Sequence, residues 1–149
     1  MASTTTGRRP ESVGARRAGY AVAVGINSVL LFLINVTPGW STVPFLTPDL
    51  ADVLPWINAS LLAGIAANAV YLFRDDPRVK GLGDLVTEVV GLVAIVRLWQ
   101  VFPFDFGAEP SAWATVVRVL LVVAMAGTAI AMIVSVVTAL RGRPGPVPS

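Results

Sequence analysis

Four carboxylates in the middle of the chain are the residues best suited to chemistry. Asp75 and Asp76 precede an apolar run, and Asp84 and Glu88 lie at its beginning. A carboxylate at membrane depth needs a partner or a route to water, and such groups often bind protons or cations. Glu88 is therefore either a protonatable or cation-binding site, or a side chain that reaches the headgroups or pairs with the basic residues of segment 74–80. The sequence leaves both readings open.

Two arginines inside apolar runs form a second candidate. Arg97 follows Glu88 by nine residues, which places the two side chains on opposite faces of a helix. Arg118 lies at a similar depth on the next run. The simpler reading is that each guanidinium snorkels to the membrane surface. The sharper hypothesis is one outward-facing site for an anion or a lipid headgroup, formed by both arginines.

Sorted by depth, the polar residues of the apolar runs form two layers. The inner layer contains Asn27, Asn68, Asp84 and Glu88, and the outer layer contains Asn58, Arg97, Gln100 and Arg118. Amide side chains commonly hydrogen-bond between transmembrane helices, each contributing about 0.6 to 2 kcal/mol. We therefore expect the asparagines to join helices. The alternative is a polar path lined by Asn27, Asn68 and Glu88.

The composition is that of a membrane protein with one domain. Of 149 residues, 55% are hydrophobic and 13% are charged, whereas about a quarter of the residues of a soluble domain are charged. The chain contains no Cys and no His, so it has no thiolate ligand, no thiol nucleophile and no imidazole base. This argues against catalysis without excluding it, and we expect no cofactor and no metal site.

The apolar runs predict an all-α membrane protein with four transmembrane helices in an antiparallel bundle. The predicted spans are about 18–36, 54–73, 84–103 and 112–140, within a transmembrane domain of residues 16–141. Residues 1–15 and 142–149 are predicted to be disordered cytoplasmic tails. The segment Arg74–Gly83 is expected to be a connection in which Gly81 to Gly83 form a loop.

The first connection carries a helix signal of its own. Thr47, Pro48 and Asp49 combine a capping hydroxyl, a proline suited to the first helical position and an acid in the first turn. A short interfacial helix is therefore expected between helices 1 and 2. It would run, kinked at Pro55, into the second span.

The distribution of basic residues predicts the orientation. Four precede the first span, three lie in segment 74–80 and two follow the last span, whereas the first and third connections contain none. Both termini are therefore predicted to be cytoplasmic. The tryptophans then lie near the outer interface, as an aromatic belt would: Trp40, Trp56, Trp99 and Trp113. Because the basic residues flank apolar runs and form no stripe with aromatics, nucleic acid is not an expected partner.

Three functions fit these patterns. The first is a small non-catalytic subunit of the cell membrane, an accessory or scaffold protein or a homo-oligomer, whose partners are the bilayer and another copy or another membrane protein. The alternative is a channel or transporter subunit with a polar path past Glu88 and Asn68. The third is a Mg²⁺-dependent enzyme acting on lipid headgroups through the four carboxylates. Ten of the eleven basic residues are Arg, which is typical of a GC-rich bacterial genome and suggests a bacterial inner membrane.

Overall fold

Four long helices account for most of the residues that the structure describes. A computed structural model describes residues 12–107 and 111–141. The helices are α1 (Val13–Asn35), α2 (Leu54–Phe73), α3 (Pro77–Val101) and α4 (Ala112–Arg141). Helices α1, α2 and α4 are long and apolar enough to cross a membrane, which indicates a membrane protein. Helix α3 has 25 residues and is long enough as well, but five charged residues interrupt it: Arg78, Lys80, Asp84, Glu88 and Arg97.

Helix α1 begins earlier than the sequence predicts. The Ser12 hydroxyl accepts a hydrogen bond from the Ala15 backbone N–H at 3.2 Å and caps the helix, which starts at Val13. Residues 13–15, assigned above to a disordered tail, are thus helical. The remainder of that predicted tail, residues 1–11, and the predicted tail 142–149 lie outside the described residues.

The prediction of a loop before the third span is wrong for residues 77–83, which are helical. The Asp76 carboxylate accepts hydrogen bonds from the backbone N–H groups of Arg78 and Val79, at 2.8 and 3.4 Å. Pro77 occupies the first turn, where its missing N–H is not needed. A cap followed by a proline therefore starts α3 two turns before the apolar run, and this outweighs the low helix propensity of Gly81 and Gly83.

The first connection contains the expected short helix. It is a 3₁₀ helix over Pro48–Asp52, preceded by another over Trp40–Thr42. The Thr47 hydroxyl makes no hydrogen bond to the backbone of that helix and instead donates to Asp49 Oδ2 at 3.4 Å. Pro55 lies in the first turn of α2, so it begins that helix and does not kink a longer one.

The first connection is joined to the segment that follows α3. Leu46 and Phe104 form an isolated antiparallel bridge. The Thr47 N–H donates to the Pro103 carbonyl at 3.1 Å, and the Asp105 N–H donates to the Phe45 carbonyl at 2.9 Å. These bonds hold both connections together at one end of the helices.

Helix packing follows the order of the chain. Helix α1 packs on α2, α2 on α3 and α3 on α4, and no comparable packing joins α1 to α4 in the described part of the chain. The buried apolar side chains of the described residues are few: Leu50, Val53, Tyr71, Ala94 and Pro103. Large apolar side chains of α1 and α4 are exposed instead, for example Val22 at 59% and Ile133 at 66%. Apolar helix surfaces of this extent suit a lipid environment.

Candidate functional site

Asp84 is held by two side chains. Its Oδ2 forms an ion pair with Lys80 Nζ one turn earlier on α3, and its Oδ1 lies 3.0 Å from the Tyr71 hydroxyl of α2. The same hydroxyl lies 3.0 Å from the Lys80 carbonyl and can donate to either acceptor. Lys80 Nζ also sits 5.3 Å from the centre of the Tyr71 ring. Asp84 thus has a cation and a hydroxyl donor, and these contacts join α2 to α3.

Asp75 extends this arrangement to α1. Its Oδ2 accepts hydrogen bonds from Arg16 Nε at 2.8 Å and Nη2 at 2.6 Å. The Tyr20 hydroxyl donates to Asp75 Oδ1 at 3.2 Å, and the Tyr20 ring meets the Tyr71 ring edge-on at 5.4 Å between centres. We call these residues the tyrosine–carboxylate network: Arg16, Tyr20, Tyr71, Asp75, Lys80 and Asp84.

Two glycines of α3 make room for these contacts. A Cβ added to Gly83 would lie 2.1 Å from the Tyr71 hydroxyl oxygen. A Cβ added to Gly81 would lie 2.7 Å from the backbone nitrogen of Ala139 and 3.0 Å from the carbonyl oxygen of Ser135. Gly83 therefore admits the Tyr71 side chain, and Gly81 allows the backbones of α3 and α4 to approach closely.

Glu88 faces α4. The Ser135 hydroxyl donates to Glu88 Oε1 at 2.9 Å, and Ser135 is only 6% exposed. The other carboxylate oxygen, Oε2, is buried and has no hydrogen-bond partner among the described residues. Glu88 is therefore less completely partnered than Asp84, one turn away on the same helix.

The remaining inner-layer residues, Asn27 and Asn68, bond within their own helices. The Asn27 amide donates to the Ala23 carbonyl and the Asn68 amide donates to the Gly64 carbonyl, each at 2.8 Å. Asn27 also packs on Gly64, where an added Cβ would lie 3.2 Å from Asn27 Nδ2. The structure thus places both amides beside Gly64, and records no hydrogen bond between either of them and Glu88 among the described residues.

In the outer layer, Asn58 makes the expected contact between helices. Asn35 Nδ2 donates to Asn58 Oδ1 at 2.9 Å, and Asn58 Nδ2 donates to Asn35 Oδ1 at 2.8 Å. This reciprocal amide pair joins the end of α1 to the beginning of α2. An amide pair of this kind satisfies one donor and one acceptor on each side chain.

The outer-layer arginines stack on aromatic rings. The Arg97 guanidinium carbon lies 6.0 Å from the centre of the Trp56 ring, and its Nη1 lies 3.5 Å from Gln100 Oε1. The Arg118 guanidinium carbon lies 4.0 Å from the centre of the Phe102 ring and 5.3 Å from that of Trp99. We call this set the arginine–aromatic patch: Trp56, Arg97, Trp99, Phe102 and Arg118. Because the two arginines stack on different rings, these contacts do not assemble them into one site.

The four carboxylates do not converge on a common point. Asp75 is paired with Arg16, Asp76 caps α3, Asp84 is paired with Lys80 and Glu88 accepts from Ser135. Within residues 12–107 and 111–141, no three Asp, Glu, His or Cys side chains are placed to share a metal ion. This arrangement offers no support for the hypothesis of a Mg²⁺-dependent headgroup enzyme.

A polar cleft opens beside the tyrosine–carboxylate network. Its volume is about 310 Å³, and it is lined by Arg16, Tyr20, Asp75, Pro77, Lys80 and Thr138. The lining comes from α1, α3, α4 and the connection before α3, so the cleft lies between α1 and α4 at this end of the helices. At the other end, a cavity of about 410 Å³ lies under the first connection and is lined almost wholly by apolar groups.

The chain matches no protein-family model, no curated protein and no solved structure.

Several residues of this site are absent from the layers predicted by sequence. Tyr71 and Ser135 supply the hydroxyls that meet Asp84 and Glu88, and Arg16 and Asp75 form an ion pair across 59 positions of the chain. Tyr71 had a usable signal, since it is the one aromatic hydroxyl in its apolar run and a buried tyrosine usually finds a partner. Ser135 had a modest signal, since Gly127, Ala131 and Ser135 are small residues four apart, a spacing that lets helices approach closely.

Proposed function

We propose that this chain is a multi-pass protein of the bacterial cell membrane whose four helices all cross the bilayer as an antiparallel bundle. Helix α3 packs between α2 and α4, both of which are candidate spans. The contacts also support opposite directions for α1 and α2, because the end of α1 (Asn35) meets the beginning of α2 (Asn58), while Arg16 near the start of α1 meets Asp75 just after α2. Asp84 and Glu88 of α3 have polar partners, which lowers the cost of placing them in a membrane.

In this proposal both termini and the tyrosine–carboxylate network face the cytoplasm. The support is the distribution of Lys and Arg, which are absent from the first and third connections. The Cys-free chain allows a direct test with single cysteines at Ser41 and Ser111. A membrane-impermeant maleimide should label both in intact cells, and labelling only after permeabilisation would reverse the orientation.

Within that membrane, we infer that the protein acts as a non-catalytic subunit of a larger assembly, an accessory or scaffold component or a homo-oligomer. The observation that carries this proposal is the open row of long helices: among the described residues, α1 packs on α2 but not comparably on α4, and α4 packs on α3. Their exposed apolar faces are available to a second copy or to another membrane protein. The ion pairs of the tyrosine–carboxylate network are consistent with this structural role, because the network joins helices.

The deciding experiment is purification in mild detergent, followed by native mass measurement and identification of any partner. We expect a defined oligomer or a co-purified membrane protein. Single cysteines at Val22 and Ile133, which are 59% and 66% exposed, should report the contact face by cross-linking between subunits. A cysteine at Ala94, which is 5% exposed, is the matched buried control. A monodisperse monomer without a partner would contradict the proposal.

A channel or transporter subunit is the second candidate, and the incompletely partnered carboxylate of Glu88 favours it. The hypothesised path past Asn68 receives less support, because the Asn68 amide bonds to Gly64 on its own helix. Reconstituted vesicles provide the test. If a measurable ion flux persists unchanged in Glu88→Gln, that residue does not couple it.

A further inference from the structure

Arg118 has aromatic neighbours but no anionic partner among the residues that the structure describes. Its guanidinium carbon lies 4.0 Å from the centre of the Phe102 ring and 5.3 Å from that of Trp99. It is exposed on α4 and forms no ion pair or hydrogen bond with any described residue. Arginine keeps its charge in proteins, and a charge in a transmembrane segment needs a partner or water. This cation therefore has to be matched by an anion or by solvent.

The contact with the rings leaves the donors of Arg118 available. A guanidinium carries five N–H donors in its own plane, and a ring that covers one face of that plane does not occupy them. Two of these donors match two oxygens of a phosphate group. The Phe102 and Trp99 rings also restrict the side chain, so the guanidinium is partly positioned before an anion arrives.

Arg97, at a similar depth on α3, is placed differently. Its guanidinium carbon lies 6.0 Å from the centre of the Trp56 ring, which is the outer limit of a cation–ring contact. Its Nη1 lies 3.5 Å from Gln100 Oε1, so one donor faces a neutral acceptor on its own helix. Arg97 is therefore a natural control for Arg118.

An apolar groove lies beside Arg118. Its volume is about 380 Å³, which is within the range of ligand sites. Val117 of the groove directly precedes Arg118 on α4, and the Phe104 ring of the groove meets the Phe102 ring edge-on at 5.3 Å between centres. The guanidinium and the groove thus adjoin each other. The lining is almost wholly apolar and comes from the first connection, the segment after α3, and α4: Phe45, Phe104, Phe106, Trp113 and Val117.

One wall of the groove is a column of aromatic rings. Phe106 stacks on both Phe45 and Phe104, with ring centres 5.8 and 6.1 Å apart. The Asp105 N–H donates to the Phe45 carbonyl at 2.9 Å and holds the two connections that carry these rings together. Water gains no hydrogen bond from such a wall, whereas a hydrocarbon chain packs favourably against it. The groove therefore suits the apolar part of a ligand.

Arg118 lies near the membrane surface in the proposed four-span arrangement. Helix α4 has 30 residues, about 45 Å of helix, whereas the hydrocarbon core is about 30 Å thick. Its first turns can therefore extend into the headgroup region, where tryptophans such as Trp99 and Trp113 concentrate. Arg118 follows Ala112 by about 9 Å of helix rise, and its long side chain can reach lipid phosphates at that surface.

We propose that Arg118 and the apolar groove bind one phospholipid, with its phosphate on the guanidinium and an acyl chain in the groove. The lipid comes from the leaflet next to the first and third connections, which is the outer leaflet in the orientation proposed above. The charges are complementary, since the site presents one cation and the groove lining carries no charged side chain. A molecule that joins a phosphate to hydrocarbon chains satisfies both parts. The proposal rests on the membrane insertion proposed above and goes beyond the assembly role, because it assigns a ligand.

The test is a titration of the purified full-length protein in maltoside micelles with phosphatidylglycerol whose acyl chains carry bromine. Bromine quenches the fluorescence of a tryptophan that it touches, and Trp113 lines the groove. Trp113 becomes the sole tryptophan when Trp40, Trp56 and Trp99 are replaced by Phe, which keeps Phe102, the closer ring under Arg118. We expect saturable quenching. Brominated diacylglycerol with the same chains should need about tenfold more lipid for half-saturation, because it lacks the phosphate.

Substitutions assign the binding to the two parts of the site. Arg118→Gln should raise the half-saturating amount of phosphatidylglycerol about tenfold, whereas Arg97→Gln, the matched control, should leave it unchanged. Arg118→Lys keeps the cation without the planar fork and should give an intermediate value, so it tests the site even if Arg118→Gln does not fold. Val117→Phe narrows the groove and should also weaken binding of the lipid.

Inorganic phosphate distinguishes a lipid site from a site for a free anion. We expect that it does not displace the brominated lipid, because it has no chain to occupy the groove. Displacement at the same concentration as the lipid would overturn the assignment of a phospholipid. Equal titrations for Arg118→Gln and Arg97→Gln, or for phosphatidylglycerol and diacylglycerol, would overturn the role of Arg118. Loss of the native assembly in Arg118→Gln with unchanged quenching would mean that a protein carboxylate occupies Arg118, and this would also overturn the proposal.

The titration depends neither on the number of copies in the assembly nor on the orientation in the membrane. Native mass measures the first and cysteine labelling measures the second. Failure to bind lipid in an intact assembly would contradict the lipid site alone. A monodisperse monomer that still binds phosphatidylglycerol through Arg118 would contradict the assembly role alone.

Discussion

The two ends of the helices stabilise charged side chains in different ways. In the tyrosine–carboxylate network, opposite charges meet directly, as in the Arg16–Asp75 pair at 2.6 Å, and tyrosine hydroxyls occupy the remaining carboxylate oxygens. In the arginine–aromatic patch, no carboxylate contacts either guanidinium within the part of the chain that the structure describes. Arg118 instead lies over the ring of Phe102 at 4.0 Å.

This difference follows from what each kind of charge requires. A carboxylate accepts hydrogen bonds only, so burial demands donors from neighbouring elements, and these donors link α1, α2 and α3. A guanidinium can rest one face on an aromatic ring while its N–H groups point outward to water or lipid phosphates. The first arrangement joins helices through specific distances, and the second tolerates movement. We therefore expect substitutions in the network to reduce stability more than substitutions in the patch.

The largest loss of stability is expected from Gly83→Ala, because Gly83 lies directly against Tyr71 of the tyrosine–carboxylate network. The new Cβ would lie 2.1 Å from the Tyr71 hydroxyl oxygen and 2.9 Å from the ring carbon that carries it. Tyr71 is 2% exposed and cannot swing aside freely. Overpacking of this kind costs about 1 to 3 kcal/mol. Denaturant unfolding in detergent micelles should show that loss in the free energy of unfolding.

Two further variants sharpen this prediction. Gly91→Ala on the same helix is the matched control, since nothing lies within 4 Å of its added Cβ, and it should not lose stability. Adding Tyr71→Phe to Gly83→Ala removes the closest atom and should recover part of the loss. If Gly83→Ala is as stable as Gly91→Ala, Tyr71 does not pack tightly against α3 at Gly83.

A smaller loss of stability is expected from substitutions in the amide pair between α1 and α2. Asn35→Ala and Asn58→Ala each remove both of the reciprocal hydrogen bonds, so the double variant should lose less than the sum of the single variants. Measured couplings of this kind in a membrane protein average about 0.6 kcal/mol and reach about 1.7 kcal/mol. A double-mutant cycle on unfolding free energies gives the value. Asn27→Ala combined with Asn58→Ala should show additive losses, because Asn27 bonds to its own helix.

The sequence predicts the helices of this molecule better than their contacts. Apolar runs identify the all-helical class, since each long run needs a hydrogen-bonded backbone of its own. The start of α3 is missed because Gly81 and Gly83 suggest a loop, although Asp76 and Pro77 carry a start signal. Propensity and capping compete there, and the cap prevails.

The candidate site is harder to predict, because its contacts join residues far apart in the chain. Helical spacing places Glu88 and Arg97 on opposite faces but does not say which neighbour each face meets. The structure turns Glu88 toward Ser135, 47 positions away, and leaves Asn68 bonded to its own helix. Which residues meet depends on where the helices approach closely, for example where Gly81 lies against the backbone of α4. The local sequence pattern does not predict such an approach.

The smallest effect is expected from Arg118→Lys, which probes the patch without removing its charge. Lysine keeps the cation but loses the planar group that lies over Phe102. A cation–ring contact at an exposed site contributes about 0.5 to 1 kcal/mol, and lysine should retain part of it. Arg97→Lys should change stability even less, because the Arg97 guanidinium carbon is 6.0 Å from the centre of its ring. Unfolding free energies of both variants, measured beside Gly83→Ala, test the contrast directly. A loss in Arg118→Lys as large as that in Gly83→Ala would mean that the patch joins α3 to α4 as firmly as the network joins α2 to α3.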